Sequence, residues 1–511
     1  MDHRKLKFLS FAFSFCGFAY QSLMAKTFAV FLQEEIIGFC LSSALFIYGI
    51  GLGSKKSSTA KNPLASLFKV EFTLMAVGAV APMLVTYLFF LPSLGLIELF
   101  GIRIPGGLLL MTFVLCTGAI SLALGYLTGY ETPLLFRLRK EQDNQTHLNQ
   151  ILAFSYFGAL LAAVVVPLFV IPHLEIYGGA ILISCLSGTL CIYLSLHLPD
   201  SKRLTRKAGA ALAFVLLFGF LQMPLQQWSL RIRYYLNYPK SVTSLTDVSD
   251  YIDGLRNNIQ VTRILSPYQA VDIVQGQEDG TSYFSLWLNG QYQFDSRYEK
   301  SYHDAFLNGS LKLTKKIPKR VLILGAGDGL LLRDILKKLP QETNITLVEL
   351  DPLILKLAQE DSNWRKLNQD SLNNSSVNVV IDDAFHYLRD SKESWDAVYL
   401  DFPYPYSVEL SKLYSLEFYR ILKNRLSPGG FIVFDFPTTE SADIIHSTLA
   451  AVPFANVIAF EKSESFVFAS DAPVAALETS GQDDYKIIPL PEAQKNLVNS
   501  LFRPQLPRMW Q

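Results

Sequence analysis

The residues of this chain that are best suited to chemistry are acidic side chains that follow short apolar runs in its second half. Asp328 lies inside the glycine-rich stretch 325–329, Glu349 ends the next apolar run, and Asp383 and Asp401 follow two later runs. A glycine loop between a strand and a helix lets a ligand approach backbone N–H groups at the helix N-terminus. An acid about twenty residues further on can accept both hydroxyls of a ribose. The combination predicts a nucleoside-binding fold.

Asp401 is the candidate catalytic residue. It ends the fourth predicted strand and is followed by Phe402-Pro403-Tyr404-Pro405. Strand ends in such a fold face the bound ligand, and a carboxylate placed there can orient and deprotonate an attacking amine. The simpler alternative is that Asp401 only caps its loop.

Alternating strands and helices from residue 317 to 475 are predicted to position these side chains. The predicted strands are 321–324, 345–350, 377–381, 396–400 and 431–435, and the predicted helices lie near 329–338, 352–360 and 411–425. This alternation indicates a Rossmann-like α/β domain whose parallel sheet binds ligands at the carboxyl ends of its strands. The apolar runs 455–460 and 465–469 are expected to extend the sheet as a hairpin, and residues 476–511 are assigned to a C-terminal extension.

A small antiparallel β region is predicted before this domain, at residues 258–316. Alternating apolar and polar residues at 259–264, 268–274 and 283–288 indicate strands, and Asn289-Gly290 is a two-residue hairpin signal. The segment 297–306, which contains Tyr302 and His303, is expected to open a helix.

The first 230 residues are typical of an α-helical multi-pass membrane domain. The chain of 511 residues is 50% hydrophobic and only 18% charged, and the apolar excess is concentrated here. Apolar stretches recur at 8–32, 36–53, 67–91, 107–130, 151–171, 174–196 and 208–226, which gives about seven spans. A cleaved signal peptide would explain only the first. Glu71 is expected at the edge of a span with its charge at the interface; the alternative is that an intramembrane charge marks a transport path. Residues 231–257 are expected to be a linker.

Composition excludes some classes of site from the second half. All five cysteines precede residue 200, so neither a disulfide framework nor a thiolate metal site is expected beyond it. The formal net charge is zero and gives no sign of nucleic-acid binding.

Four groups of basic residues flank the predicted spans, at 4–7, 55–61, 137–140 and 202–207. By the positive-inside rule all four are cytoplasmic. Seven full crossings would leave the second half outside the cell, whereas an even number of crossings or a re-entrant segment would leave it inside. We expect a cell-membrane protein with a cytoplasmic catalytic domain, because nucleoside cofactors are found in the cytosol.

The motifs of the second half resemble those of the polyamine aminopropyltransferases, the spermidine synthase family. The resemblance covers residues 258 to 440 and is carried by Tyr268-Gln269, Leu288-Asn289-Gly290 with Gln293, Tyr302-His303-Asp304, the glycine loop, Glu349, Asp383-Ala384 and Asp401. The apolar first half is similar to that of membrane-fused bacterial members. The resemblance implies a Rossmann-like fold of the class I methyltransferase type. It also implies an enzyme that moves the aminopropyl group of decarboxylated S-adenosylmethionine to a polyamine and releases methylthioadenosine.

The resemblance assigns roles to single residues. Glu349 would hold the ribose, and Asp383, followed by Ala384, the adenine amino group. Gln269 and Asp328 would hold the aminopropyl arm beside Gly325 and Gly327, with Asp328 pairing its ammonium group.

The acceptor side is assigned in the same way. Tyr302 and His303 would line the acceptor site, and Asp401 would accept the proton or fix the attacking nitrogen. The usual loop of the family is Asp-x-x-Asp-Pro, whereas this chain has Tyr404 at the second aspartate, which leaves the identity of the amine open. The implied partners are a polyamine and the lipid bilayer, with a homodimer as a further expectation; no metal and no nucleic acid are implied.

Two alternatives stay open at this point. A membrane-anchored S-adenosylmethionine methyltransferase would use the same nucleoside contacts, although an acid at Asp328 suits an ammonium group and would repel the carboxylate of a methionine tail. A transporter or sensor that binds polyamine or nucleoside without turnover would also fit the membrane spans and the altered acceptor loop.

Overall fold

The computed structural model describes residues 3–32, 35–90, 97–99, 101, 103–138, 145–235, 240–242, 247, 249, 253–254, 256, 258–278, 280–314, 316–405, 407–436, 440–475 and 485–506. The chain divides into two compact units, Met1–Val261 and Thr262–Gln511. We call them the helical unit and the α/β unit.

The helical unit consists of long apolar helices joined by short connections. They are α1 (His3–Leu32), α2 (Glu35–Ser57), α3 (Pro63–Leu88), α4 (Gly106–Arg137), α5 (Gln145–Val165), α6 (Ile171–Ser195) and α7 (Ser201–Tyr235), with two short strands, β1 (Ile97–Leu99) and β2 (Lys240–Val242). Large apolar side chains on the outside of α7, such as Phe220 and Met223, are 82% and 78% exposed. An outer surface of this kind suits lipid rather than water.

Six helical stretches among the described residues are long and apolar enough to cross a membrane. The stretch Leu148–Ser195 has 48 residues, about 72 Å of helix, which is more than twice the roughly 30 Å of a hydrocarbon core. Non-helical backbone at Glu175 (φ 55°) interrupts it. A Cβ added at Gly179 would lie 2.9 Å from Val170, so the chain folds back on itself between these residues. Dividing the stretch there gives seven segments in the described part of the chain.

The ends of the helices that carry the basic groups meet at one face of the helical unit, which we call the basic face. Three hydrogen bonds join helix ends there: Arg137 to the Ser57 carbonyl (3.0 Å), His3 with Gln150 (3.1 Å) and Ser195 with Thr205 (2.6 Å). The first, third, fifth and seventh segments start from this face, since contacts such as Ser10 to the Ile151 carbonyl and Ser14 with Ser155 keep α1 and α5 parallel.

The other helix ends meet at the opposite face. Contacts there are Thr86 with Tyr177 (2.6 Å), Tyr87 to the Leu225 carbonyl (3.1 Å) and Gln226 to Glu175 (2.6 Å). After α7, β2 pairs with β1, which lies between α3 and α4, and Lys240 is the register partner of Ile97. Strand β2 therefore lies at the opposite face, away from the basic groups.

A small sheet in the order β3-β4-β5-β6 follows. Its strands are β3 (Ile259–Leu265), β4 (Ala270–Glu278), β5 (Thr281–Leu288) and β6 (Gln291–Asp295), and helix α8 (Glu299–Leu313) comes next. Asn289 and Gly290 have φ angles of 52° and 80°, as a two-residue hairpin turn requires. The predicted antiparallel β region and its Asn-Gly turn are confirmed.

The large sheet of the α/β unit has the strand order β14-β12-β13-β11-β10-β7-β8-β9. Its parallel part comprises β7 (Arg320–Gly325), β8 (Asn344–Glu349), β9 (Val377–Ile381), β10 (Trp395–Asp401) and β11 (Leu426–Asp435). The antiparallel part comprises β12 (Asn456–Glu461), β13 (Ser465–Ser470) and β14 (Lys486–Ile488). Leu322, Ile323 and Leu324 of β7 are fully buried, because helices cover both sides of a parallel sheet. The predicted Rossmann-like fold is confirmed.

The helices of this unit are α9 (Leu330–Lys338), α10 (Pro352–Glu360), α11 (Ser362–Asn368), α12 (Ala384–Asp390), α13 (Val408–Ser411), α14 (Leu416–Asn424) and α15 (Glu440–Ala450). The single helix expected at 411–425 is divided, since Ser415 adopts an extended conformation and caps α14 with its side chain. Two boundaries also move. Helix α7 continues to Tyr235, into the expected linker, and β14 brings part of the expected C-terminal extension into the large sheet.

Candidate active site

The glycine loop joins β7 to α9 at the carboxyl end of the sheet. Gly325 has a φ of 84° and is the register partner of Asp401 on β10. A Cβ at Gly325 would overlap the Asp401 carbonyl oxygen, so the close approach of the two strand ends excludes a side chain there. The glycine loop and Asp401, which are far apart in the sequence, are thus in direct backbone contact.

Glu349 lies against the same loop from the end of β8. Its carboxylate accepts hydrogen bonds from the Gly327 N–H (3.2 Å) and the Asp351 N–H (2.9 Å). A Cβ at Gly327 would lie 2.6 Å from the Glu349 side chain. Burial, together with the negative charges of Asp351 and Asp328, raises the pKa of Glu349 to about 7.

Asp328 places a second carboxylate in the loop. It accepts a hydrogen bond from the Leu330 N–H (2.9 Å) at the start of α9. Burial raises the pKa of Asp328 to about 6; His303 opposes that shift and Asp401 adds to it. The three residues are therefore close enough to influence one another's charge.

Asp401 meets α8 rather than only capping its own loop. The Tyr302 hydroxyl donates to its Oδ1 at 3.1 Å. Burial raises the pKa of Asp401, although His303 and the Tyr302 hydroxyl lower it in part. A carboxylate with a raised pKa at a strand end is suited to accept a proton.

His303 is held by a buried network that sequence reasoning missed. Its Nδ1 lies 3.0 Å from Glu299 Oε2, Arg333 donates to both oxygens of Glu299 (2.9 and 3.0 Å), and Arg333 also pairs with Asp334. All four side chains are at most 5% exposed. Burial alone would lower the pKa of His303, but the Glu299 hydrogen bond and the charges of Asp328 and Asp401 raise it. The i, i+4 spacing of Glu299 and His303 was the available signal.

Asp435 is a second residue that the sequence reasoning did not identify. It ends β11, the neighbour of β10, and its carboxylate receives a hydrogen bond from the Tyr404 hydroxyl. Burial raises the pKa of Asp435 to about 7, and the charges of Asp401 and Glu464 add to the effect. The strand-end rule applied to Asp401 would also have found Asp435.

The remaining site residues lie toward the β8–β9 side of the sheet. The Gln269 amide donates to Asp351 (3.0 Å). Asp383 caps α12 by accepting from the Phe385 and His386 N–H groups, and Lys412 Nζ is 2.5 Å from its other oxygen. The Lys412 contact lowers the pKa of Asp383 against the effect of burial. Ala384, the first residue of α12, is buried.

The structure thus separates two groups of side chains along one edge of the sheet. Glu349 and Gly327 lie beside Gln269 and Asp351, with Asp383 one strand further out. Asp328, Asp401 and Asp435 lie at the ends of the inner strands β7, β10 and β11, near Tyr302 and His303 of α8 and Tyr404 of the loop after β10. The second group concentrates three carboxyl groups, which is the chemistry of a site for positively charged ligands.

Part of the α/β unit matches a family model. Residues 299–449 match the spermine/spermidine synthase domain. The matched part runs from Glu299 through the glycine loop, Asp401 and Asp435.

Named relatives match both units. A polyamine aminopropyltransferase of Leptospira interrogans is 31% identical over 419 residues, which is 81% of this chain and 75% of that protein. Polyamine aminopropyltransferase 2 of Ralstonia nicotianae is 28% identical over 83% of this chain and 76% of its own. Among solved structures, a spermidine synthase from Thermotoga maritima is 22% identical, with a TM-score of 0.35 over 42% of this chain and 73% of that one.

Proposed function

The chain belongs to the polyamine aminopropyltransferase family, and we propose that its α/β unit binds decarboxylated S-adenosylmethionine beside Asp328 and an amine acceptor between Asp401 and Asp435. It is an aminopropyltransferase. The observation that carries the assignment of the site is the set of three carboxyl groups, Asp328, Asp401 and Asp435, at adjoining strand ends. Both ligands carry positive charge, and three carboxyl groups allow each ligand to pair with at least one of them.

The donor side follows from the loop and β8. Glu349 holds the ribose hydroxyls when it exchanges its backbone donors for them, and Asp328 pairs with the ammonium group at the end of the aminopropyl arm. Gln269 is assigned to the same arm, which requires its amide to leave Asp351. Asp383 is assigned to the adenine amino group, which must share its carboxylate with Lys412.

The acceptor side performs the transfer. The sulfonium of the bound donor supplies an activated carbon, so the protein chiefly has to hold a neutral amine in line. The amine nitrogen forms a bond to the terminal carbon of the arm, the carbon–sulfur bond breaks, and its electron pair stays on methylthioadenosine. The proton that the amine loses goes to Asp401, which Tyr302 holds in place.

Tyr404 and Asp435 together replace the second aspartate of the usual loop. Tyr404 brings an aromatic face, which attracts an ammonium group by about 0.5–2 kcal/mol, and its hydroxyl holds the Asp435 carboxylate. The negative charge missing from position 404 is therefore supplied from β11. This arrangement supports a polyamine as the acceptor.

Release of methylthioadenosine by the purified full-length protein in detergent tests this function. We expect release from decarboxylated S-adenosylmethionine only when an amine such as putrescine or spermidine is present, with the aminopropylated amine as co-product. The matched controls are S-adenosylmethionine as donor and Glu360→Gln, which alters an acid of α10 that is salt-bridged to Lys356 at the surface. Methyl transfer from S-adenosylmethionine, or binding of both ligands with no release, would overturn the proposal in favour of the methyltransferase or the sensor.

We further propose that the α/β unit is held at a cell membrane on the non-cytoplasmic side. The basic face carries Arg137 and the groups at 55–61 and 202–207 and is cytoplasmic by the positive-inside rule. After seven segments the chain is at the opposite face, where β2 pairs with β1. This location differs from the cytoplasmic one expected from the sequence, and it requires both substrates to be supplied at that face.

Single introduced cysteines test this location. The α/β unit has no native cysteine, and Gln341 and Ser58 are both exposed. Both variants also carry Cys40→Ser, which removes the exposed native cysteine. In intact cells, a membrane-impermeant maleimide should label Gln341→Cys, whereas Ser58→Cys at the basic face should react only after permeabilisation. The reverse pattern would restore the cytoplasmic location while leaving the enzymatic proposal untouched.

A further inference from the structure

Two carboxyl groups lie enclosed within the helical unit. Glu71 of α3 is 0% exposed and Glu131 of α4 is 1% exposed. Glu71 is eight residues from the start of α3 at Pro63, which places it about 12 Å inside the unit. The expectation that Glu71 reaches the interface is therefore wrong: the side chain faces neighbouring helices.

The two carboxyl groups face each other, with the Ser187 hydroxyl beside Glu71. Glu131 and Ser187 are the side chains that interact with Glu71. These contacts are loose, since none of the four carboxyl oxygens has a partner in well-formed hydrogen-bond geometry among the described residues. The hydroxyl of Thr128, one turn before Glu131 and 8% exposed, also lacks one there.

Such a pair is costly when both groups are ionised. Two like charges in contact in an apolar interior cannot both ionise, and an unpaired buried charge is more expensive than a neutral acid. At least one carboxyl group of the pair must therefore be neutralised. Because both side chains are almost completely enclosed, a proton is the species best suited to neutralise it.

A chain of hydroxyl groups continues from the pair toward the centre of the unit. Ser187 interacts with Glu71 and is the acceptor of a hydrogen bond from the Tyr20 hydroxyl (3.4 Å). The Tyr20 hydroxyl also lies 3.0 Å from Ser184 Oγ. Hydroxyl groups joined in a row by hydrogen bonds can relay a proton, because each can accept one proton and release another.

From this geometry we propose that the helical unit contains a proton-transfer path, Glu131–Glu71–Ser187–Tyr20–Ser184. The Tyr20 hydroxyl donates to Ser187, so a proton reaches the pair when Ser184 accepts a proton and gives its own to Tyr20, Tyr20 gives its own to Ser187, and Ser187 gives its own to a Glu71 oxygen. The remaining titratable groups that face the pair are Cys16 of α1 and Cys191 of α6, and neither is a base at neutral pH. Acids enclosed between membrane helices mark ion or proton paths in general. The helical unit is then an active element and not only an anchor.

Proton entry into vesicles tests the path. The full-length protein is placed in liposomes that contain a pH-sensitive dye, and a potassium diffusion potential drives protons inward. The wild-type protein should acidify the lumen faster than protein-free vesicles, and Glu71→Gln, Glu131→Gln and Tyr20→Phe should reduce the rate to that of protein-free vesicles. The matched controls are Glu175→Gln, whose carboxylate is already hydrogen-bonded to Gln226, and Tyr126→Phe, whose hydroxyl bonds Tyr130; both should keep the wild-type rate.

A second measurement needs no variant, in case the substitutions impair folding. Dicyclohexylcarbodiimide reacts with protonated carboxyl groups in apolar surroundings, so it should modify Glu71 or Glu131 of the wild type, located by mass spectrometry, and stop the proton entry. Wild-type entry no faster than that of protein-free vesicles, or unchanged entry in Glu71→Gln and Tyr20→Phe, would overturn the proposal. Failure of the reagent to modify either glutamate would do so too.

Discussion

Both units of the molecule bury acidic side chains, but they do so in opposite ways. In the helical unit, Glu71 and Glu131 are almost completely enclosed, and their oxygens have no partner in well-formed hydrogen-bond geometry among the described residues. In the α/β unit, each acid of the candidate site remains partly accessible and has a donor, such as Tyr302 for Asp401 and the Gly327 N–H for Glu349.

The difference shows what each arrangement can bind. Donors fix the direction of a carboxylate, and partial access lets a ligand reach it, so the acids at the strand ends form a prepared site for molecular cations. An enclosed pair without well-formed hydrogen bonds is suited to hold a proton instead. Both units therefore bury acids. The hydrogen-bond donors around each acid and its accessibility determine which cation it can bind.

The largest effect is expected when Asp401, the proton acceptor of the prepared site, is replaced. Asp401→Asn should slow turnover by about 10²–10⁴ and leave donor binding nearly unchanged, because its contacts are to Tyr302 and the acceptor side. Single-turnover kinetics with calorimetry of donor binding measure the two effects separately. An equal loss of binding and turnover would assign Asp401 to loop structure instead.

The network behind His303 should matter next most. Glu299→Gln removes one of the two buried carboxylates that pair with Arg333 and leaves Asp334. Breaking a buried pair costs up to about 3–5 kcal/mol of unfolding free energy. Thermal unfolding of the full-length protein measures the loss. If Glu299 only positions His303, the variant should lose activity at its usual melting temperature, which would contradict a stabilising role.

A smaller effect is expected from the carboxylate on β11. Asp435→Asn should raise the KM for the amine about tenfold, by loss of one charge-assisted contact worth about 1.5 kcal/mol, with little change in the KM for the donor. Tyr404→Phe, the matched control, keeps the carboxylate and the aromatic face and should change the KM for the amine less. The same KM in Asp435→Asn and wild type would place the acceptor elsewhere.

The pH dependence of ligand binding sharpens the comparison further. The pKa values of Asp328 and Glu349, about 6 and about 7, are raised above their ordinary values in the free protein. These acids hold protons that the unfolded chain has released, so they make the free protein less stable as the pH rises from about 4 to about 7. A cationic ligand needs the ionised acid, so donor affinity should rise with pH through about 6, with proton release.

Calorimetry in two buffers of different ionisation enthalpy measures that release. Asp328→Asn should release fewer protons than the wild type at pH 6. Equal proton release in both proteins would show that Asp328 does not face the ligand.

Most of the α/β fold could be predicted because its signals are local. The run Val321–Leu324 and the glycines after it specify a strand and a tight turn whatever the rest of the chain does. The Asn289-Gly290 turn and the strand-end position of Asp401 are local in the same sense. For these, residue type and spacing are sufficient.

The missed features depend on contacts between distant residues. Arg333 reaches Glu299 across two helices, and Asp435 reaches Tyr404 from a different strand. Glu71 was expected at the interface because it lies near the start of an apolar stretch. Nothing in that stretch indicates that Glu131, sixty residues later, packs against it. Neither pattern nor composition records which side chains face one another.

The most direct test of the central claim is calorimetry of donor binding by the wild type and Asp328→Asn. The acids of the α/β unit are claimed to receive cationic groups, so the wild type should bind decarboxylated S-adenosylmethionine more tightly than S-adenosylmethionine, whose tail carries an extra carboxylate. Asp328→Asn should narrow that preference. Equal affinity of the wild type for the two compounds would contradict the claim.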